Sequence, residues 1–268
     1  MSSIDARAIV DPDARLGEDV EIGPWSLIGP DVEIGDGCRI GSHAIVKGPT
    51  RMGTGNRIFQ FATIGDDTPA LAYRGERTVL EIGDNNVFRE GVTVHRGTVQ
   101  GRGRTVIGSG GLFMAYVHIG HDCRIGDQVV MANNASVAGH CTVGDHANFG
   151  GYAGVPQFRT IGAHTHIAAM SLVLKDVPDF VTAAGNPACA VGINAEGLRR
   201  CGADAATVNG LKEAFRVVFR SGLTVDEACE RLHADYPGSA EISRFIASIR
   251  ASEVGIVRPR GGSGATEQ

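Results

Sequence analysis

Nine histidines are spread along this 268-residue chain. Four of them, His95, His118, His121 and His140, gather in its middle third beside Asp122 and Gly139. An imidazole titrates near neutrality, so it can take a proton from a poor nucleophile such as a hydroxyl at the moment that oxygen attacks. A glycine leaves a backbone N–H open to a charge that develops in the same step. These residue types suit general-base transfer, provided the fold brings them together.

The elements that must do so follow a period of six. From Ile107 to Val173 a large apolar residue returns at every sixth position without a miss, and the same spacing runs from Ile4 to Ile64. Such a period fits neither a helix nor a hairpin meander, and hexapeptide repeats mark a parallel β-helix. Two positions before each large residue stands a small or β-branched one, as at Val117, Cys123, Ala135 and Cys141, with Gly111 and Arg159 breaking the pattern. Both slots should point inward. Glycine often follows the large residue, as at Gly120, Gly126 and Gly150, where a corner needs a backbone that side chains would obstruct. The pattern resembles the hexapeptide-repeat acyltransferases, which implies a mainly β fold, a left-handed parallel β-helix with three hexads per triangular coil. The left hand is supplied by the resemblance, because most parallel crossovers are right-handed.

Three hexads per coil would stack residues eighteen apart, one strand spacing of about 4.8 Å from each other. His121, Gly139 and Gln157 then share a column, and Asp122 lies under His140. The phase lapses twice, after Ile64 and after Val94, so loops are expected near 66–78 and 96–106. Correcting for the second insertion puts His95 and Arg96 one coil below His121. None of the four histidines occupies an inward slot, so they should form one patch outside the prism, beside the second loop. Interruptions in a solenoid often mark its binding face.

Bulk properties narrow the classes. A formal charge of −5 gives no reason to expect nucleic acid as a partner. The opening residues carry no apolar run resembling a signal peptide, and no stretch approaches the ~20 apolar residues of a transmembrane segment. A cytoplasmic location is expected. Of the six cysteines, Cys38, Cys123 and Cys141 fall in the small inward slot and no CxxC pair exists, so neither a metal nor any other cofactor is expected.

After Val173 the period stops, and the β-helix is expected to span 1–190. A small helical domain should fill 191–256: a short capped helix at 194–201, an amphipathic one marked by Val208, Leu211, Phe215 and Val218, a capping box at Thr224–Glu227, and a stripe of Ile242, Phe245, Ile246 and Ile249. Residues 257–268 read as a disordered tail. Lys212, Arg216 and Arg220 recur every four residues on the second helix, which makes one basic stripe that could equally be a solvated face.

Thr93–Gln100, His118–Cys123 and Ala132–His140, followed by Val155–Phe158 and Asn194–Arg200, resemble the UDP-N-acetylglucosamine O-acyltransferases that begin lipid A synthesis. The resemblance covers about residues 4–250. It implies a homotrimer with the site in the groove between two solenoids, moving an (R)-3-hydroxyacyl group from acyl carrier protein to the sugar 3-hydroxyl of UDP-N-acetylglucosamine. On these residues the catalytic base falls on His121 and the oxyanion donor on Gly139. Asp122 could orient His121, although adjacent residues on a strand diverge. The resemblance also assigns His118, His140, Gln157, Asn194, Glu196 and Arg200 to the nucleotide sugar or acyl chain, with His95 in the same patch, and makes Ala169 an acyl-length ruler. An acidic carrier protein would suit the stripe of Lys212, Arg216 and Arg220.

Four positions depart from the family pattern. Ala70 and Ala72 stand where it has Asp and Lys, Pro156 where it has His, and Cys201 where it has a second Arg. Those losses leave open a modified UDP-sugar, such as a 3-amino analogue, or a non-catalytic trimeric scaffold. The same prism also serves zinc-dependent carbonic anhydrases, but His118-x-x-His121 is a loose pair with no third ligand specified.

Overall fold

The computed structural model describes residues 2–260. Its strands, most of them only two residues long, line up as three parallel sheets that form the faces of a triangular prism. Face A runs from Ser3–Ile4 up to His166–Ile167, face B from Ile9–Val10 to Gly154–Val155, and face C from Arg15–Leu16 to Thr160–Ile161. Registers such as His118↔Ser136 and Arg124↔Thr142 are eighteen residues apart, as the hexads require. Thr63↔Thr93 and Val87↔Leu112 measure the two insertions as twelve and seven residues. The first loop lies between the strands Thr63–Asp66 and Val79–Ile82. The second is shorter than expected, because Arg104–Ile107 is already strand.

Both inward slots are filled. Ile119, Val137, Ile167 and the stacked pair Phe88 and Phe113 are fully buried, and so are Val117, Cys123, Ala135, Cys141 and Ala147 in the small slot. The two exceptions have local causes. A Cβ on Gly111 would meet the Phe113 ring at 2.8 Å and Asn86 Oδ1 at 2.9 Å. Asn86 is itself a buried polar residue in that column, satisfied by Asn56 Oδ1 at 3.1 Å and Gly108 O at 2.9 Å. Arg159 lies where the coils end, and its Nε turns away from the core to Leu174 O at 2.9 Å.

Corners divide two jobs between two residues. The left-handed conformation is taken mainly by non-glycine residues three places after the large one, including Tyr116, Asp122, His140, His146, Phe158 and His164, with φ between 54° and 62°. The glycine that follows the large residue instead permits close approach to the next coil: a Cβ on Gly150 would lie 2.4 Å from Ala169 N.

Beyond the hexads an antiparallel hairpin, Val181–Ala184 with Cys189–Ile193, extends face A. The expected boundary near 190 therefore falls inside a strand, which the hexad period could not reveal because the period had already ended. Among the described residues four helices follow: α1 (Ala195–Arg200), α2 (Ala205–Arg220), α3 (Val225–Asp235) and α4 (Ala240–Arg250). The capping box at Thr224 and Glu227 is formed. Buried Leu211, Phe215, Leu232, Phe245 and Ile249 pack the helices together. The tail does not begin at 257 as expected. Val257 is buried and donates its N–H to Asp176 O at 2.9 Å, and Arg258 O accepts from Ala190 N at 3.0 Å. An apolar Ile256–Val257 pair is enough to dock that segment. Residues 261–268, the rest of the expected tail, lie outside the described residues.

Overpacking against backbone that cannot yield costs about 1–3 kcal/mol or more. Gly150→Ala should therefore lower the unfolding free energy by an amount in that range, read as a lower urea midpoint. Gly192→Ala, with nothing within 4 Å of the added Cβ, should leave it almost unchanged. Equal midpoints for the two variants would show that the coils are not held at this spacing.

Candidate active site

The edge where face B turns into face C carries the chemistry. His118 opens the strand His118–Ile119 on face B, and after Gly120 the chain turns through His121 and Asp122 into Arg124–Ile125 on face C. Asp122 has φ 59°, so the two side chains do not diverge as they would on a strand. His121 Nδ1 meets Asp122 Oδ2 at 2.9 Å. The expectation of divergence fails because this pair lies in a corner.

Asp122 is wholly buried, and the second loop buries it. Thr98 donates from its N–H at 3.0 Å and its hydroxyl at 2.7 Å, and Arg102 N donates at 2.7 Å. Gly101 is required there, since a Cβ would lie 2.4 Å from the carboxyl carbon. Burial pushes the carboxyl toward its neutral form, but the hydrogen bonds from His121, Thr98 and Arg102 prevail and hold it below the usual carboxylate range. A fixed anion therefore faces His121 Nδ1. That assigns the proton to Nδ1 and leaves Nε2 with a free lone pair.

Gly139 stands one coil above. A Cβ there would lie 2.6 Å from His121 Nε2, so only a bare backbone lets the imidazole occupy its position. Gly139 O accepts from Phe158 N at 3.3 Å, whereas its N–H has no protein acceptor among the described residues. His140 meets His121 edge-on, with centroids 4.8 Å apart, and stacks on Phe158 at 4.6 Å. Burial lowers its pKa in spite of Asp122 nearby, with His121 and Arg102 acting in the same direction as burial.

His118 accepts or donates at Nδ1 to Thr93 Oγ1 at 2.8 Å and lies 5.4 Å from His95. Burial above all, helped by His95 and His121, pushes it down to about 4, so it is a neutral imidazole near pH 7. His95 Nδ1 is held at 2.7 Å by Asp67 O of the first loop. Arg96 is buried and clamps that loop, reaching Gly48 O at 2.8 Å, Gly65 O at 2.6 Å, the Tyr73 hydroxyl at 3.0 Å and the Asp67 carboxylate. The column rule placed Arg96 correctly, but nothing in the pattern revealed it as the anchor of the loop. Thr98, Gly101 and Arg102 were likewise missed, and their one signal was the insertion directly before the histidine-rich coil.

The remaining expected residues are not all here. Gln157 is exposed on the same edge, one coil above Gly139, and Ala169 is exposed on the edge between faces A and B. Asn194, Glu196 and Arg200 sit at α1, which is tied to the edge between faces C and A through Asn194 Nδ2 and His164 O at 2.9 Å. A whole face separates them from His121. Glu196 pairs with Arg200 at 3.2 Å and with Arg199 at 3.3 Å. Lys212, Arg216 and Arg220 are exposed on one side of α2, with Arg216 paired to Glu213 at 3.2 Å. A cavity of about 750 Å³ between face C and α4 includes none of these histidines.

His121, Asp122 and His140 bring potential ligand atoms within 4.8 Å of one another. The Asp122 oxygens are already filled by N–H and O–H donors, so the arrangement fits a held imidazole better than a metal ion.

Comparison with known proteins adds to this geometry. A family model described as UDP-N-acetylglucosamine O-acyltransferase, domain 2, matches residues 176–257, and one for the bacterial transferase hexapeptide matches 13–48. The chain is 54% identical over 258 residues to a protein of Stutzerimonas stutzeri named acyl-[acyl-carrier-protein]–UDP-N-acetylglucosamine O-acyltransferase, covering 96% of this chain and all of that one. A Pseudomonas aeruginosa protein of the same name is 53% identical over the same span. Among solved structures, the UDP-N-acetylglucosamine O-acyltransferase of Moraxella catarrhalis superposes with a TM-score of 0.93 at 46% identity, covering 95% of this chain and 99% of that one.

His118 has a folded pKa of about 4 against an ordinary 6.5, so the folded state binds fewer protons between those values. Its contribution is fully present above the ordinary value and is lost as pH falls toward the folded one. Stability measured by urea unfolding should thus drop on acidification across that window, and His118→Gln should drop less steeply. Parallel curves for the two proteins would remove His118 from the acid response.

Proposed function

Since the chain belongs to the UDP-N-acetylglucosamine O-acyltransferase family, with its left-handed β-helix, we propose that it moves an (R)-3-hydroxyacyl chain from acyl carrier protein to the 3-hydroxyl of UDP-N-acetylglucosamine, the first step of lipid A biosynthesis. The observation that carries the reading is the His121–Asp122 pair at 2.9 Å, with the opposite imidazole nitrogen facing a bare glycine.

In this reading His121 Nε2 accepts the proton of the sugar 3-hydroxyl as that oxygen attacks the thioester carbonyl. The carbonyl oxygen becomes an oxyanion, stabilised by the unpaired Gly139 N–H. Collapse breaks the carbon–sulfur bond, and the imidazolium returns its proton to the departing carrier thiolate. Asp122 stabilises the imidazolium between the two transfers and keeps the ring from turning. His118 and His140, held neutral by burial, are suited to hydrogen-bond the substrate without repelling the imidazolium that forms. Ala169 sits about three coils above the corner that precedes His118, some ~14 Å along the axis at one strand spacing per coil, which suits a ruler for the far end of an acyl chain.

One chain alone cannot put Asn194, Glu196 and Arg200 on the sugar that His121 serves, because they occupy another edge of the prism. A homotrimer, in which one protomer presents its His121 edge to the α1 edge of the next, solves this. A stripe of exposed Trp25, Phe61, Tyr116, Tyr152 and Met170 along the edge between faces A and B supports the assembly, since each is 55–68% exposed in the single chain. The stripe on α2 is the proposed carrier-docking surface.

A positioned general base is worth about 10²–10⁴ in rate. His121→Ala should therefore lower kcat by that order in an assay with hydroxyacyl carrier protein and UDP-N-acetylglucosamine, with KM little changed. Gly139→Ala should do nearly the same by displacing the ring. Turnover unaffected by His121→Ala would end the proposal. Tyr116→Glu combined with Tyr152→Glu should convert the protein to smaller species in light scattering and abolish turnover together. An intact trimer would free the stripe of that role.

A further inference from the structure

The outward column of face C changes character as it climbs. Arg15, Glu33, Arg51 and Glu81 stack in register, and the lower members pair across coils, Arg15 with Glu33 at 3.5 Å and Arg51 with Glu33 at 3.7 Å. Beyond Glu81 the column continues through Val106 to Arg124 and Thr142 with no further acid. Arg104, at the start of the Val106 strand, reaches Glu81 at 3.6 Å. Arg102 arrives from the second loop, its Nη1 3.5 Å from Asp122 O and its Nη2 3.3 Å from Thr142 Oγ1, which sets its guanidinium beside Arg124. Neither Arg102 nor Arg124 has a carboxylate partner among the described residues.

These side chains line a cleft of about 660 Å³, walled by Glu81, Arg102, Arg104, Val106, Cys123 and Arg124. Three guanidinium groups face one carboxylate there, in a chain whose formal charge is −5. The lower coils of the same face show what a merely solvated surface looks like, with acid and base alternating and pairing. Unbalanced arginine gathered in a cleft instead attracts an anion, and the planar fork of each guanidinium matches the oxygens of a phosphate group.

We propose that Arg102, Arg104 and Arg124 form a subsite for the phosphate group of the thioester donor's phosphopantetheine arm, an assignment that rests on the acyl-transfer reading. The cleft adjoins the catalytic corner, since Arg124 follows Asp122 by two residues and Arg102 N donates to the Asp122 carboxylate at 2.7 Å. The thioester is the point where acyl chain and arm part. With its carbonyl at His121 and the chain directed toward Ala169 on the edge between faces A and B, the arm leaves on the opposite side, toward face C. The trimer that buries the stripe on that A–B edge leaves face C outside, open to a donor arriving from solvent. The nucleotide contacts, by contrast, lie on α1 of the next protomer. No spacing in the sequence joins 102, 104 and 124 to one another, and only the second insertion together with the coil period makes them neighbours.

The test compares two donors that carry the same hydroxyacyl chain and no carrier protein, hydroxyacyl-pantetheine and hydroxyacyl-phosphopantetheine, with UDP-N-acetylglucosamine as acceptor. Charge-assisted contact to the phosphate should make kcat/KM of the parent protein higher for the phosphorylated donor by about tenfold or more, an advantage that shrinks as salt is raised. Arg104→Gln combined with Arg124→Gln should bring the ratio of the two donors close to one. Arg124→Lys should keep part of it, and Arg51→Gln, lower on the same face, should keep all of it. Circular dichroism checks that each variant folds. A parent ratio near one, or a ratio that survives the double variant, overturns the subsite. So does a raised KM for UDP-N-acetylglucosamine in the double variant with the donor ratio intact, which would give the cleft to the nucleotide diphosphate. If the parent protein turned over neither donor, nor hydroxyacyl carrier protein, the acyl-transfer reading itself would fail and the subsite with it.

Discussion

The buried carboxylate of Asp122 is the constraint on which the site depends. An anion in a wholly buried position is costly unless its oxygens are filled, and here they are filled from one side by a loop and from the other by an imidazole. Thr98 and Arg102 supply the N–H and O–H donors, which gives the insertion ahead of the histidine-bearing coil its structural role. Without that loop Asp122 would be a solvated corner residue, and His121 would lose the contact that fixes its tautomer. Gly101 and Gly139 are the two places where the same arrangement excludes a side chain, one against the carboxylate and one against the ring.

The solenoid supplies what that arrangement needs at little cost. Strands of two residues contribute few hydrogen bonds each, so stability is shared among coils through the filled inward slots, as in other repeat folds where each unit contacts only its neighbours. The outward positions are thereby left free of packing duties. His118, His121 and His140 can be placed on consecutive coils without disturbing the core, because their neighbours Val117, Ile119, Cys123 and Cys141 carry it. Left-handed corner residues extend this freedom: Asp122, His140 and Phe158 form a column on one edge, and His146, His164 and Phe180 on another.

The coil period made much of this legible from the sequence. Residues eighteen apart proved to be neighbours, so His121 under Gly139 and Asp122 under His140 could be placed by counting, and the helices followed from apolar stripes and the Thr224–Glu227 box. What counting could not reach were contacts made by residues outside the period. Arg96 and Thr98 lie in the insertions, the hairpin after Val181 has no hexad, and the Ile256–Val257 pair docks through two side chains in a polar tail. The relation of Asp122 to His121 was misjudged because corner geometry differs from strand geometry, although the same hexads that defined the strands also placed that pair in a corner.

The histidines of the patch differ mainly in their relation to one anion, and that difference separates their roles. Asp122 touches His121 at 2.9 Å and comes no nearer to His140 Nε2 than 3.9 Å. His118 has a threonine hydroxyl as its partner instead, and burial keeps it uncharged. His121 is therefore the ring in contact with a carboxylate, and His118 and His140 are the two whose pKa values burial lowers. After burial, the nearness of the His121 ring acts on both neighbours in the same lowering direction. Contact with the carboxylate thus sets His121 apart from its two neighbours, and burial sets those two apart by disfavouring their charged forms.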